Sequence, residues 1–188
     1  MTRLGAFARD LSRWISAYAA NPDPRVAGCN TIALLVASNQ PFYPLYVYFS
    51  VSRHITPTLL TFFSTPFFLA IPAVSRRFPV FGRALLPLTG LANVVVSAKA
   101  FGAASGVAIF ILPCALIAAA FFQPSERVFA FALLVLALAI FLGIDSYASN
   151  PIHTYSPSEY TAFVRLNALS ASALVSLLGL MLSGLVKD

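Results

Sequence analysis

Charge is scarce in this 188-residue chain: Asp, Glu, Lys and Arg make up 10% of it, with only six acidic residues and two histidines. A water-soluble domain carries about a quarter charged residues, so that class is excluded. Cysteine is as sparse. Cys29 lies at a helix end and Cys114 within an apolar run, which indicates two buried small side chains and neither a disulfide framework nor a metal knuckle. Catalytic signatures are missing too: there is no nucleophile elbow, paired-histidine zinc motif, phosphate-cradling glycine loop or dinucleotide fingerprint. No reaction is selected and no cofactor is implied, so the chain is expected not to be an enzyme. The net charge of +6 sits in short segments between apolar runs and builds no contiguous basic surface, which argues against nucleic acid as a partner.

What remains is apolar: 59% of residues are hydrophobic, with 17 Phe and 13 Pro, and the mean hydropathy is +0.84. This composition predicts an all-α integral membrane protein, a six-transmembrane-helix bundle preceded by an N-terminal amphipathic interfacial helix. Residues 1–24 form the first part. Leu4, Phe7, Leu11, Trp14, Ile15 and Tyr18 recur at helical spacing while Arg3, Asp10 and Arg13 lie off that stripe. That first run is amphipathic and not a continuous apolar h-region, so no cleavable signal peptide is expected. Asn21-Pro22-Asp23-Pro24 then turns the chain into the bilayer. Residues 25–188 form the membrane domain, with spans expected at about 27–52, 55–75, 81–100, 107–123, 128–147 and 160–186.

Basic residues orient these spans. With a cytoplasmic N-terminus, Arg3, Arg9, Arg13, Arg25, Arg76, Arg77, Arg83, Arg127 and Lys187 fall inside, and only Arg53, Lys99 and Arg165 fall outside. Both termini are therefore expected in the cytoplasm. On the last span Ser172, Ser176, Gly179 and Ser183 share one face, a seam for close helix packing within the bundle or in a homodimer.

Asn39-Gln40-Pro41-Phe42-Tyr43-Pro44 interrupts the first span. Pro41 deprives the Ala37 carbonyl of its helical donor, and Pro44 does the same for Gln40. Lipid cannot satisfy such groups, so the break should face protein, water or a ligand. Asn39, Tyr43 and Tyr46 share a helix face and Asn93 lies at similar depth in the third span. With Gln40 they outline a cleft, expected to open outward and to be rimmed by Lys99, Asp145 and Arg165. Such a cleft suits a small amphiphilic ligand. Duller roles stand beside this one. The carboxamides serve equally as interhelical hydrogen-bond glue, Asp145 as a partner of Lys99 or Arg165, and the tyrosines as an interfacial belt. His54 and His153 both map outside and are weak candidates for a metal site.

The Pro- and Tyr-rich first span (Asn39 to Tyr48), Ala70-Ile71-Pro72-Ala73 before Arg76-Arg77, and Gly102 to Leu112 running into Pro113-Cys114-Ala115-Leu116 carry a resemblance. Phe121-Phe122 before Glu126-Arg127, and Ser156-Pro157-Ser158-Glu159-Tyr160 opening a span with Asn167 and Gly179, complete it. Over about residues 27–186 the chain resembles the six-span membrane input domains that precede bacterial class III adenylate cyclases and some histidine kinases. The resemblance implies a multi-pass protein of the bacterial inner membrane that senses a ligand or the lipid state. Its last helix would signal to a cytoplasmic output domain or partner protein, since the chain itself shows no cyclase or kinase sequence. A transporter or channel subunit, and an accessory subunit of a larger complex, are the alternatives.

Overall fold

The computed structural model describes residues 3–185, with side chains defined at residue 10 and at residues 12–183. Among the described residues there are helices and no strands. Helix α1 (Arg3–Ala19) precedes a rod made of α2 (Pro24–Asn39), a 3-10 turn (Gln40–Phe42) and α3 (Tyr43–Ser50). A 3-10 helix (Thr56–Ser64) leads into α4 (Thr65–Arg77), which is followed by α5 (Pro79–Phe101). Two more 3-10 turns, Ala103–Ser105 and Val107–Phe110, lead into α6 (Ile111–Ala120). A third, Pro124–Glu126, opens α7 (Arg127–Tyr147), and α8 (Pro157–Leu185) comes last.

Four of these stretches are long and apolar enough to cross a bilayer: Thr56–Arg77, Pro79–Phe101, Pro124–Tyr147 and Pro157–Ser183. Val107–Ala120 is apolar but shorter, and the α2–α3 rod carries Asn39, Gln40 and two prolines at its centre. The chain thus has the character of a membrane protein, with four helices that meet the length and hydropathy of a span. Of the expected interfacial stripe, Leu4, Phe7 and Leu11 lie outside the described side chains. Trp14 and Ile15 stand exposed, while Tyr18 donates to the Leu69 carbonyl of α4 at 2.9 Å and Arg76 lies over its ring.

The proline break is milder than the sequence suggests. Winding Gln40–Phe42 as a 3-10 turn lets the Tyr43 amide donate to the Gln40 carbonyl, so the group freed by Pro44 finds a donor inside its own rod. The nine-residue 3-10 helix that follows has a side-chain cause. Thr58, Thr61 and Ser64 are buried and three residues apart, and their hydroxyls bond back to the carbonyls of Ile55, Thr58 and Thr61 at 2.6–2.8 Å. In a 3-10 helix such positions eclipse, so one polar stripe forms and turns toward the bundle.

Loops gather at two ends. At one, the Ile152 amide donates to the Lys99 carbonyl, the Tyr155 hydroxyl to the His54 carbonyl, and His54 stacks on His153. Gly102 and Gly106 make the tight turns there with φ of 87° and 71°, conformations that disfavour a side chain. The other end is organised by Arg83, which is 1% exposed. Its Nη2 meets Glu126 Oε1 at 2.6 Å and its Nη1 donates to the Phe121 carbonyl at 3.0 Å. The second Glu126 oxygen accepts the Gln123 amide at 2.8 Å. Arg83 therefore does not meet headgroups as a free inner charge; it locks the first turn of α5 to the α6–α7 link. Gly82 beside it is required by contact, because a Cβ there would lie 2.7 Å from Ser75 Cα on α4. The seam on α8 faces away from the bundle: Ser172, Ser176, Gly179 and Ser183 are exposed, and nothing lies within 4 Å of a Cβ built on Gly179.

A buried arginine left without its carboxylate costs about 3–5 kcal/mol. Glu126→Ala is accordingly expected to lower the thermal unfolding midpoint of the purified protein in detergent. The paired change Arg83→Met with Glu126→Gln should recover most of that loss.

Candidate functional site

A cavity of about 610 Å³ lies among the α2–α3 rod, α5, α6 and α8. Five of the eight residues expected at a binding site line it: Asn39, Gln40, Tyr43, Tyr46 and Asn93. The helix face shared by Asn39, Tyr43 and Tyr46 was legible from spacing, and α5 brings Asn93 opposite. Lys99, Asp145 and Arg165 do not line it. Lys99 turns to α7, with its Nζ 3.5 Å from the Tyr147 carbonyl and 5.4 Å from the ring centre. Asp145 and Arg165 are exposed, and among the described residues neither forms an ion pair. Rotation of α7 and α8 carries Asp145 and Arg165 away from the cavity, which spacing within one helix cannot foretell, while Lys99, six residues beyond Asn93, lies on another face of α5.

Gln40 is engaged in structure. Its Nε2 donates to the Thr61 carbonyl at 3.1 Å and to Ser64 Oγ, and its Oε1 accepts from Thr65 Oγ1. The glue reading therefore holds for this carboxamide, which ties the first rod to the 3-10 helix. Asn93 differs. Its Oδ1 lies 3.2 Å from Ser64 Oγ, and its Nδ2 has no protein acceptor among the described residues. Tyr46 donates to Asn39 Oδ1 at 3.3 Å within the same rod. Tyr43 donates to Asn167 Oδ1 at 3.1 Å, and Asn167 Nδ2 donates to the Ser105 carbonyl at 3.0 Å, so α8 is tied to the rod through a buried carboxamide.

Four polar lining residues, Ser38, Thr61, Ser97 and Ser170, escaped the sequence reading. Ser97 is 2% exposed, borders the cavity and has no hydrogen-bond partner among the described residues. Its spacing from Asn93 is i,i+4, which sets both side chains on one face of α5. That spacing was the available signal.

The cavity is closed along the bundle axis. Toward the histidine end Tyr43, Phe101, Phe163 and Tyr155 pack ring against ring, at 4.9–6.1 Å between centres. Toward the arginine end Phe68, Leu86, Ile117, Phe121 and Leu178 form a continuous buried cluster. Its side is open: Leu35, Ser38, Asn39 and Phe42 on one helix rod, and Leu169 and Ala173 on α8, border the cavity and are nonetheless exposed.

His54 and His153 do meet, face to face with ring centres 4.0 Å apart and planes at 22°. Imidazole lone pairs lie in the ring plane, so stacked rings send them along parallel lines and they do not converge on one ion. Among the described residues no three His, Cys, Asp or Glu gather closely enough to hold a metal. Cys29 and Cys114 are separate, free and buried. No protein-family model matches the chain, nor does any curated protein or solved structure.

Gln40→Leu removes the acceptor of Thr65 and the donor to Thr61 and Ser64, and should destabilise the protein by about 1–3 kcal/mol in detergent unfolding. Tyr155 gives a pH test at the loop end. Burial, helped by the nearby Glu159 charge and Tyr160, pushes its phenol up to about 12 from an ordinary value of 10.0. Because the folded value is the higher one, its stabilisation is intact below about pH 10 and is lost as pH rises toward 12. Wild type should lose thermal stability over that window more steeply than Tyr155→Phe.

Proposed function

We propose that this chain is a membrane-embedded sensor that binds a small amphiphile in its mid-bundle cavity and reports occupancy through α8. The observation that carries the reading is the position of the cavity. It separates α8 from the α2–α3 rod, while the tie through Asn167 and Tyr43 holds them together above it. An occupant that fits one spacing of α8 better than another shifts the balance between them by that difference in affinity. The binding groups are Asn39, Tyr43, Tyr46 and Asn93, with Gln40 holding the frame.

In this reading all six apolar stretches cross the bilayer, including the polar-centred α2–α3 rod and the short Val107–Ala120 stretch. The arginine end faces the cytoplasm, as the bias of basic residues favours. The setting is the bacterial inner membrane, and α8 delivers the signal to a cytoplasmic output of the adenylate cyclase or histidine kinase kind. The exposed seam at Ser172, Ser176, Gly179 and Ser183 is the natural face for a second copy. Transport is less well supported, since the buried cluster around Phe121 and Leu178 blocks the path toward the arginine end.

Spin labels at Arg77 on α4 and Ser183 on α8, in a Cys29→Ala, Cys114→Ala background, test the coupling. Both positions are exposed. Saturating 1-undecanol in lipid nanodiscs should shift the measured distance distribution, and Asn39→Leu with Asn93→Leu should abolish the shift. An unchanged distribution at full binding would remove α8 as the reporter.

A further inference from the structure

Three features of the cavity, taken together, specify what enters it and from where. The first is charge. No Asp, Glu, Lys, Arg or His borders it; its polar side chains are carboxamides and hydroxyls, with the Cys114 thiol beside them. An ionised head placed there would be stripped of water with no counter-charge, a heavy cost for a carboxylate or an ammonium alike. The second is the pair Asn93 and Ser97. An amide N–H and a hydroxyl, both without protein partners and one turn apart on α5, present a donor and a group able to donate or accept. That pair matches an uncharged oxygen such as an alcohol or a ketone. The third is the mouth. Both ends are packed shut, while the exposed bordering residues Leu35, Ser38 and Phe42 on one side and Leu169 and Ala173 on the other flank a gap. These positions lie at the middle of their helices, where the surroundings of a membrane protein are hydrocarbon.

We infer that the cavity is loaded sideways from the lipid phase, between α2 and α8, by an uncharged single-chain amphiphile whose oxygen bonds Asn93 and Ser97. The tail lies along Ile32, Val36, Leu86 and Leu174. The cavity volume falls in the range of small-molecule sites, roughly 300–1,000 Å³. This assignment rests on the sensor reading for the cavity being a binding site, but it changes the route: the expected outward-facing cleft becomes a lateral one. It also removes charge from the ligand, and with it the need for Lys99, Asp145 and Arg165 at a rim.

The test uses three bromine-tagged probes of one chain length: 11-bromoundecan-1-ol, 11-bromoundecanoate and 11-bromoundecyl-trimethylammonium. Trp14→Phe removes the native tryptophan and Phe68→Trp places a reporter at the cavity wall beside the proposed tail. In phosphatidylcholine nanodiscs at pH 8, the alcohol should quench the reporter saturably and untagged 1-undecanol should compete. The two charged probes should give only the linear quenching of bilayer partition. Asn93→Leu with Ser97→Ala should weaken the alcohol about tenfold, as the loss of about 1.4 kcal/mol of hydrogen bonding requires. Ala173→Phe, and independently Ser38→Leu on the opposite lip, should slow the onset of quenching at least severalfold without altering the reporter's own spectrum.

Saturable quenching by either charged probe, at an affinity equal to the alcohol's, overturns the uncharged head. Unchanged onset rates in both lip variants overturn the lateral route. Saturation by none of the three overturns the cavity as a binding site, and the sensor reading with it. An organic extract of the purified protein separates two sources of the same chemistry. A neutral lipid recovered at about one per chain marks a membrane lipid as occupant. A clean extract with saturable alcohol binding marks a free molecule.

Discussion

Gln40 is the interaction on which the bundle turns. It sits within an apolar rod, yet both ends of its carboxamide are used, on Thr61, Ser64 and Thr65. Gln40 is buried, so its polar ends must find protein partners or destabilise the fold. Those partners stand at i, i+3 and i+4 where the 3-10 helix runs into α4, a spacing that presents all three on one side. One side chain thus ties the first rod to the start of the second apolar stretch.

The two ends of the bundle are secured by different physics. At one, a buried guanidinium joins the first turn of α5 to Phe121 and Glu126, a directional charge-assisted network. At the other, aromatic rings and backbone bonds interlock, with Tyr155 packed between Phe163 and the histidine stack. Between them α8 is held by Asn167 and by a few apolar contacts, of which Leu178 is fully buried. The helix is thus packed at both ends, through Phe163 and Asn167 at one and Leu178 at the other, and borders the cavity along its middle.

Much of the fold was legible because hydrophobic length and proline punctuation report on it directly. The helical class, the turn at Asn21–Pro24, the interruption at Asn39–Pro44 and the convergence of Asn39, Tyr43, Tyr46 and Asn93 belong to that part. Other features depend on which way neighbouring helices rotate, and no spacing within one helix carries that information. Asp145 and Arg165 thus end on exposed faces, and Lys99 turns to Tyr147. Arg83 reads as one more basic residue by the positive-inside pattern until Glu126, across two helices, is seen to neutralise it. The period of Thr58, Thr61 and Ser64 was visible, but a run of that length is unusual for a 3-10 helix and nothing local demanded it. Ser97 was overlooked because a serine among small residues in a span ordinarily bonds its own backbone.

The separation of charge from the cavity has a consequence for discrimination. Membrane lipids mostly present phosphate or ammonium heads, and these are held at the interface by hydration. A site at mid-depth, as proposed, would reject such molecules through the cost of desolvating their heads and would need no steric filter. On the proposed reading it would admit the minor class of uncharged amphiphiles, whose oxygen would lose one hydrogen bond on leaving the interface and regain it at Asn93 and Ser97. Selectivity of this kind is set by what the site lacks as much as by what it offers. The scarcity of ionisable residues in the chain and the chemistry of its cavity are then two expressions of one constraint.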